Sequence, residues 1–331
     1  MDTVKITIAI SVYNVAEYVR ASLDCIVNQT FRDLEILCID DASTDGTWAI
    51  LQEYATKDDR IRLFRQEKNL GLSVSRNLAI KEAKGEYLLM LDGDDLFAPD
   101  MVEKAYKKAR ETVADMVIWD YAIFEKGKDL NSKPIEPSIL NNKSTQDKVF
   151  LLRRPAFMWV RLLRLSALRD LKVQFTPTLT KQDIPIHWKL VTSLERIALL
   201  PERLSFYRQH PGATSNRKGR IVFSLAYVMD ITKQQLIDDG YYETYRNEFL
   251  RSRLNLLQGM YDVVKPELKS DALAIIEERL DEDAKIYLCL KECECSSRTK
   301  MFFKGYFLGN KWAKLQYDLL MKARNIYRLI K

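Results

Sequence analysis

The chain is short of the residues that organise small secreted or metal-rich folds. Its five cysteines (Cys25, Cys38, Cys289, Cys293, Cys295) are odd in number and show no paired spacing, which speaks against a disulfide framework and for a reducing cytoplasm. Only two histidines occur in 331 residues. Neither is near the three C-terminal cysteines, so a cysteine–histidine metal site lacks its ligands there. No apolar run approaches the ~18 residues of a spanning helix. The first such run stops at Tyr13-Asn14 after Asp2 and one early lysine, too short and wrongly flanked for a signal peptide. A large excess of one charge is lacking as well: the net charge is +6, with acids and bases mixed along most of the chain, and a dedicated nucleic-acid binder is not implied. There is no internal repeat and no low-complexity tract.

What is present is an ordinary globular composition, 47% apolar and 30% charged, enough for one large domain with an appendage. Apolar β-favouring runs alternate with helical periodicity: strands at Ile6–Val12, Leu34–Ile39, Ile61–Phe64 and Tyr87–Leu91, helices at Ala16–Val27, Thr47–Tyr54 and Leu72–Ala83. That alternation predicts βαβ units and an α/β fold with a mostly parallel sheet. The second and fourth strands are nearly continuous apolar runs, as strands covered on both faces should be. A helix at Met101–Arg110 and a strand at Met116–Ile123 follow. Gly127–Asn142 reads as a loop, and the pattern from about Arg220 is helical.

Polar residues follow the strands: Asn14 after the first, Asp40-Asp41 after the second, Asp92-Gly93-Asp94-Asp95 after the fourth. These are carboxyl ends, where open α/β sheets bind ligands, so the three turns should converge. Crowded carboxylates on a tight turn, with Gly93 relieving the backbone, are expensive without a cation. Mg²⁺ or Mn²⁺, held by one or two of them and by diphosphate oxygens, resolves the repulsion; a solvated acidic turn is the plainer reading. Ser43, Asp45 or Thr47 can cap the next helix, which leaves Asp40 and Asp41 free to accept hydrogen bonds from a base or ribose. A phospho-acceptor receiver domain would be complete in far fewer residues. A metal-dependent nucleic-acid enzyme would show a basic, aromatic-interleaved face, and a sugar nucleotidyltransferase a Gly-rich, basic loop after the first strand. None of these is evident.

Taken in order, Ile10-Ser11-Val12-Tyr13-Asn14, Asn28-Gln29-Thr30, Asp40 to Thr47, Asn69-Leu70-Gly71 with Ser75-Arg76-Asn77, and Gly85-Glu86-Tyr87 through Asp95 closely resemble family 2 glycosyltransferases. The resemblance implies the glycosyltransferase A fold, a nucleotide-diphosphate sugar donor, usually a UDP-sugar, and inversion at the anomeric carbon. It makes Tyr13 the residue flanking the uracil, Asp41 its hydrogen-bonding acid with Asn14 and Asp40 beside it, and Arg76 a diphosphate or base contact. Asp92, Asp94 and Asp95 become the metal-diphosphate loop. The second half is similar, more weakly, to the branch that builds bacterial capsular and surface polysaccharides. Trp159-Val160-Arg161-Leu162-Leu163 stands for a Trp-Asn-Lys-Leu-Tyr segment, Val173-Gln174-Phe175 for the next strand, Gln182-Asp183 for a Glu-Asp pair, and Tyr207-Arg208-Gln209-His210 through Ser215 for a Tyr-Arg-x-His-x-Gly-Ser ending. Gln182, Val160, Arg161 and Ala213 depart from that pattern.

On this reading residues 1–218 form the catalytic domain, 1–115 its nucleotide-sugar half and 116–218 its acceptor half, and 219–331 a helical region. Asp183, placed in a polar loop, is the base that takes the acceptor hydroxyl's proton. His210 completes the metal shell or binds diphosphate, Arg208 assists, and His187 packs. The acceptor is a saccharide or lipid-linked saccharide, and no nucleic acid is involved. A nucleotide-sugar-binding protein whose transfer has lapsed is the alternative. From Arg298 to Lys331, basic residues with a single acid, Asp318, alternate with Phe302, Phe303, Tyr306, Phe307, Trp312 and Leu315. Two readings stand open there: an interfacial helix on anionic lipid, peripheral on the inner face of the cytoplasmic membrane, or a packed helix with a basic outer face.

Overall fold

The computed structural model describes residues 4–125, 138–210 and 218–330. The chain divides into two compact units, residues 1–216 and 217–331. In the first, β1 (Ile6–Val12), α1 (Val19–Val27), β2 (Leu34–Asp40), α2 (Thr47–Ala55), β3 (Ile61–Arg65), α3 (Leu72–Glu82) and β4 (Tyr87–Asp92) alternate as the sequence pattern predicts. They are followed by β5 (Leu96–Phe97), α4 (Met101–Thr112), β6 (Met116–Glu125), α5 (Lys148–Leu152), β7 (Arg161–Arg164), α6 (Leu165–Asp170), α7 (Asp183–Ser193) and β8 (Ile197–Gln209).

All eight strands join one sheet in the order β3-β2-β1-β4-β7-β6-β8-β5. β1 to β4 pair in parallel, as do β6 and β8, whereas β7 is antiparallel to both of its neighbours and β5 to β8. The apolar runs explain the centre. Ile6, Ile8, Ile10 and Val12 of β1 pack with Leu34, Ile36 and Cys38 of β2, Tyr87, Leu89 and Leu91 of β4, and residues of α1, α2 and α4 on one face. The alternate residues, Leu37, Ile39, Leu88 and Met90 among them, are buried as well; strands covered on both sides have no polar face. Of the Gly127–Asn142 loop, residues 127–137 lie outside the described residues.

The second unit is helical: α8 (Ser224–Asp238), α9 (Tyr242–Val263), α10 (Lys269–Glu277), α11 (Glu282–Cys289), α12 (Ser297–Tyr306) and α13 (Lys311–Ile330). Asp281 and Ser296 cap α11 and α12 by accepting the Ala284 and Thr299 N–H groups. Buried Arg253 ties α9 to Asp281 at 2.9 Å. Cys289 ends α11, whereas Cys293 and Cys295 lie in the turn before α12 and not in a helix; all five cysteines are free. Among the described residues no helix is long and apolar enough to cross a membrane.

Candidate active site

The register places Asp40 beside Val12 and Asp92 beside Ser11 at the carboxyl edge of the sheet, so the turns after β1, β2 and β4 do meet. The first two are tied together. Asn14 N–H donates to Ser43 Oγ, Val15 N–H to Thr47 Oγ1 and Ala16 N–H to Asp45 Oδ2, each at 3.0 Å, and Thr44 N–H donates to Asn14 Oδ1 at 2.8 Å. Of the three expected caps only Asp45 takes a nearby helix N–H, that of Thr47; the other two bind the neighbouring turn. Asp40 is buried, accepts Ser43 N–H at 3.2 Å and faces Arg65 Nε at 3.3 Å. Asp41 accepts Leu70 N–H at 2.7 Å and Gly71 N–H at 2.8 Å, fixing the turn into α3, and burial raises its carboxyl above the ordinary range. Tyr13 stands out from this tight array with 42% of its surface exposed.

In the acidic turn after β4, Gly93, expected to relieve the backbone, has no positive φ. It supplies room instead: a Cβ there would lie 2.5 Å from Val12 Cγ1. Asp95 is wholly buried. Its Oδ1 accepts the Arg208 N–H at 2.8 Å, its Oδ2 has no hydrogen-bond partner, and burial together with Asp94 and Asp92 pushes its carboxyl well up. The short β5 pairs antiparallel with β8, Leu96 opposite Phe206, which carries Arg208 and His210 to the acids. Arg208 Nε donates to Asp94 O at 2.7 Å, and His210 Nε2 lies 3.0 Å from Asp94 Oδ2.

Arg76 occupies the middle. Expected to contact a ligand but without a partner legible in sequence, its guanidinium is 2% exposed and bridges two acids. Nη2 donates to Asp92 Oδ1 at 3.2 Å, and Nη1 donates to Asp183 Oδ1. Phe175 lies under it, 5.5 Å from ring centroid to guanidinium carbon. Asn77 holds Phe175 in place by exchanging two 2.8 Å hydrogen bonds with its backbone. Val173-Gln174-Phe175 is therefore not the strand expected there. Asp183 is not in a loop either: it is the first residue of α7, where the helix N-terminus favours a carboxylate. Asp92, pushed up to about 6 chiefly by burial, with Arg76 opposing and Asp94 and Asp183 adding, is the strained member.

Behind this bridge, buried Arg161 of β7 lies with Nη2 2.7 Å from His187 Nδ1, and His187 Nε2 is 3.3 Å from Leu152 O. Burial, with Arg161 adding, holds His187 far below its usual range, so it is a neutral core residue. Burial also lowers Arg161 to about 9, Asp183 opposing and Arg154 adding. Gln182 is buried beside Asp183. Ala213, with Pro211 to Ser215, lies outside the described residues.

Among the described residues no three His, Cys, Asp or Glu side chains converge as a ready cation cage. A Mg²⁺ or Mn²⁺ site does not require one, since these ions keep waters and take one or two carboxylates with substrate phosphates. The Asp94–His210 pair, beside the unpartnered buried oxygen of Asp95, fits such a site. Three contributors do not read as site residues in the sequence, Phe175 standing there only in an expected strand. Tyr18 lies under the Arg208 guanidinium at 5.1 Å and against the His210 ring at 4.6 Å. Ser22 Oγ lies 3.0 Å from Gly93 O and 2.6 Å from Asp95 O, and Phe175 supports Arg76.

Residues 7–172 match the family model described as Glycosyl transferase family 2. The chain is 38% identical over 126 residues to the glycosyltransferase GlyA of Streptococcus pneumoniae, covering 38% of this chain and 18% of that protein. It is 25% identical over 238 residues to GlyG of the same organism, covering 69% of this chain and 77% of that one. Among solved structures, residues 1–349 of S. aureus TarS in complex with UDP-GlcNAc superpose with a TM-score of 0.72 at 18% identity, over 99% of this chain and 92% of that one; at this identity the likeness is one of fold.

Proposed function

We propose, from the premise that this chain belongs to glycosyl transferase family 2, that it is a metal-dependent, inverting transferase. It moves a sugar from a nucleotide-diphosphate sugar, a UDP-sugar in our reading, to a hydroxyl of a saccharide or lipid-linked saccharide in bacterial surface polysaccharide synthesis. One observation carries the reading: a single buried guanidinium, that of Arg76, joins Asp92 of the acidic turn to Asp183 at the start of α7. An acid of the turn we assign to the donor's diphosphate and the candidate base thus share one anchor. The fold neighbour bound to UDP-GlcNAc supports the choice of donor. We assign residues 1–115 to the donor, 116–218 to the acceptor side and 219–331 to a helical region, with the protein cytoplasmic and peripheral on the inner face of the cytoplasmic membrane.

In this reading the exposed ring of Tyr13 flanks the base. Asp41 spends one oxygen on each of Leu70 and Gly71 and still has lone pairs for a base N–H; Asn14 and Asp40 set the turns around it. Asp94 and His210 would hold Mn²⁺ or Mg²⁺ beside the unpartnered Oδ2 of Asp95, with Asp92 at the head of the same turn, and Asp95 Oδ1, accepting the Arg208 N–H, positions Arg208 against the diphosphate. When bound, the cation offsets the negative charge that grows on the departing diphosphate. Asp183, its Oδ1 held by Arg76, takes the acceptor hydroxyl's proton on Oδ2 as that oxygen attacks from the opposite face. Gln182, where an acid is typical, adds no second carboxylate.

The test uses a pool of UDP-sugars with Mn²⁺ and saccharide and lipid-linked acceptors. Wild type should show transfer or donor hydrolysis, and Asp183→Asn should lose ~10²- to 10⁴-fold in rate while nucleotide still raises its melting temperature. Binding by wild type with neither hydrolysis nor transfer would leave the nucleotide-sugar binder as the surviving reading. Equal rates for Asp183→Asn would remove Asp183 as the base.

A further inference from the structure

The second unit includes α13, whose inward face is engaged at Ala313 and Tyr317. Ala313 and Tyr317 are buried. The Tyr317 ring lies 5.2 Å from Phe302 and 6.0 Å from Tyr306, and its hydroxyl donates to Asp262. At Gly305 of α12 an added Cβ would lie 2.6 Å from both the N and the Cα of Lys314. The two helices therefore meet backbone to backbone at this point, and the buried Tyr317 keeps the same side of α13 turned inward.

The outward face is consequently fixed, and it is not polar. Trp312, Leu315 and Leu319 recur at i, i+3 and i+7, so they share one side of the helix. They are 75%, 49% and 57% exposed, and Leu320 beside them is 42% exposed. A stripe of large apolar side chains held open on a soluble surface marks an interaction site. Lys311 and Lys322, both exposed, border it along one flank. The segment from Arg298 onward has one acid, Asp318, which accepts the Tyr306 hydroxyl at 2.9 Å.

That charge decides the occupant. A second copy laid on the stripe would bring lysines against lysines with no exposed acid on either helix to relieve them. A negatively charged lipid surface supplies both the opposite charge and the apolar layer that a tryptophan and two leucines require. Since no described helix can span a bilayer, such a helix lies in the interface instead of crossing it. We propose that α13 is a membrane-docking element, with Trp312, Leu315 and Leu319 entering the headgroup boundary of an anionic bilayer and Lys311 and Lys322 meeting its phosphates. This deepens the proposed membrane-side location and rests on that reading for its biological sense only.

The experiment is co-sedimentation of the full chain with vesicles of phosphatidylglycerol and phosphatidylcholine, and with phosphatidylcholine alone, at low and high salt. We expect partitioning at least tenfold stronger onto the anionic vesicles, weakened by salt. The triple change Trp312→Ser, Leu315→Ser and Leu319→Ser should reduce it at least tenfold. Lys311→Gln and Lys322→Gln should each reduce it about fivefold. All these side chains are exposed, so circular dichroism and melting should match wild type. Failure to bind anionic vesicles, or binding unchanged in the triple variant, overturns the proposal. So does a concentration-dependent dimer in sedimentation equilibrium that the triple variant abolishes, which would make the stripe a contact between copies. Donor hydrolysis in lipid-free solution is measured alongside: hydrolysis without vesicle binding sinks this proposal alone, and binding without hydrolysis sinks only the transferase reading.

Discussion

Replacing Asp92 by Asn should make the ligand-free protein more stable and the enzyme inactive. The carboxyl of Asp92 is raised from an ordinary 3.8 to about 6, burial being the chief cause. An acid raised on folding binds more protons in the folded than in the unfolded state between those two values, so the folded state loses stability as pH climbs through that window. A gap of about two units corresponds to ~3 kcal/mol, an amount present as a penalty at pH 7 and absent below about pH 4. Asn keeps an Oδ1 to accept the Arg76 Nη2–H that Asp92 now receives at 3.2 Å, and it carries no charge to desolvate. Because the Asp92 side chain keeps 27% of its surface, solvent offsets part of that penalty, and Asp92→Asn should gain ~1–3 kcal/mol at pH 7.5, about 0.5–1 M in urea midpoint at a slope of about 2–3 kcal/mol/M, with the gain closing as pH falls to 4. Four of the five tryptophans, Trp48, Trp119, Trp159 and Trp188, lie in the first unit, so intrinsic fluorescence follows the right transition. A variant less stable than wild type at pH 7.5, or one with the same gain at pH 4 and 7.5, would refute the reasoning. Retained sugar transfer in a stabilised variant would separate Asp92 from the chemistry.

Arg76→Gln should destabilise the protein by ~3–5 kcal/mol, the usual cost of removing one member of a buried ion pair, because Asp92 and Asp183 lose their shared cation; Arg76→Lys should recover part of it, and a denaturation midpoint within error of wild type for Arg76→Gln would contradict the bridge. Gly85→Ala would set a Cβ 2.5 Å from Thr7 N and 2.7 Å from Ile6 C, backbone atoms that cannot swing aside, and should cost ~1–3 kcal/mol in a thermal melt. His210→Ala should reduce the extra stabilisation that UDP gives in Mn²⁺ over EDTA, leaving the EDTA value in place; an unchanged Mn²⁺ increment would take His210 out of the cation site.

The βαβ half was legible because parallel strands buried on both faces are written as unbroken apolar runs, and β1, β2 and β4 start where those runs start. The carboxyl-end rule then gathered Asn14, Asp40, Asp41 and Asp92 without any knowledge of packing. Arg76 was recognisable as a motif residue but not as a bridge, since its partners stand 16 and 107 residues away and only tertiary structure joins them. The strand expected at Val173–Phe175 failed because the Asn77 side chain takes the Phe175 backbone groups that a neighbouring strand would have taken. Asp183 looked like a loop acid because Pro185 follows it, although proline is well tolerated in the first turn of a helix. Gly93 reads in sequence as relief of backbone strain, whereas in the structure it makes room for the Val12 side chain.

The pairing of β5 with β8 also sets an order of assembly. Asp94 and His210 touch across 116 residues of chain, and among the described residues the two-residue strand β5 has no partner in the sheet except β8. During synthesis the acidic turn therefore leaves the ribosome long before the segment that completes it, and through that interval Asp94 and Asp95 lack the groups that later engage them. Contacts of such separation form late, so the Rossmann-like half can fold first as a scaffold that is recognisable by sequence yet chemically unfinished. The family match itself ends at residue 172, before Asp183, Arg208 and His210; a nascent chain or fragment of that length would carry the family's signature without its candidate base or cation pair.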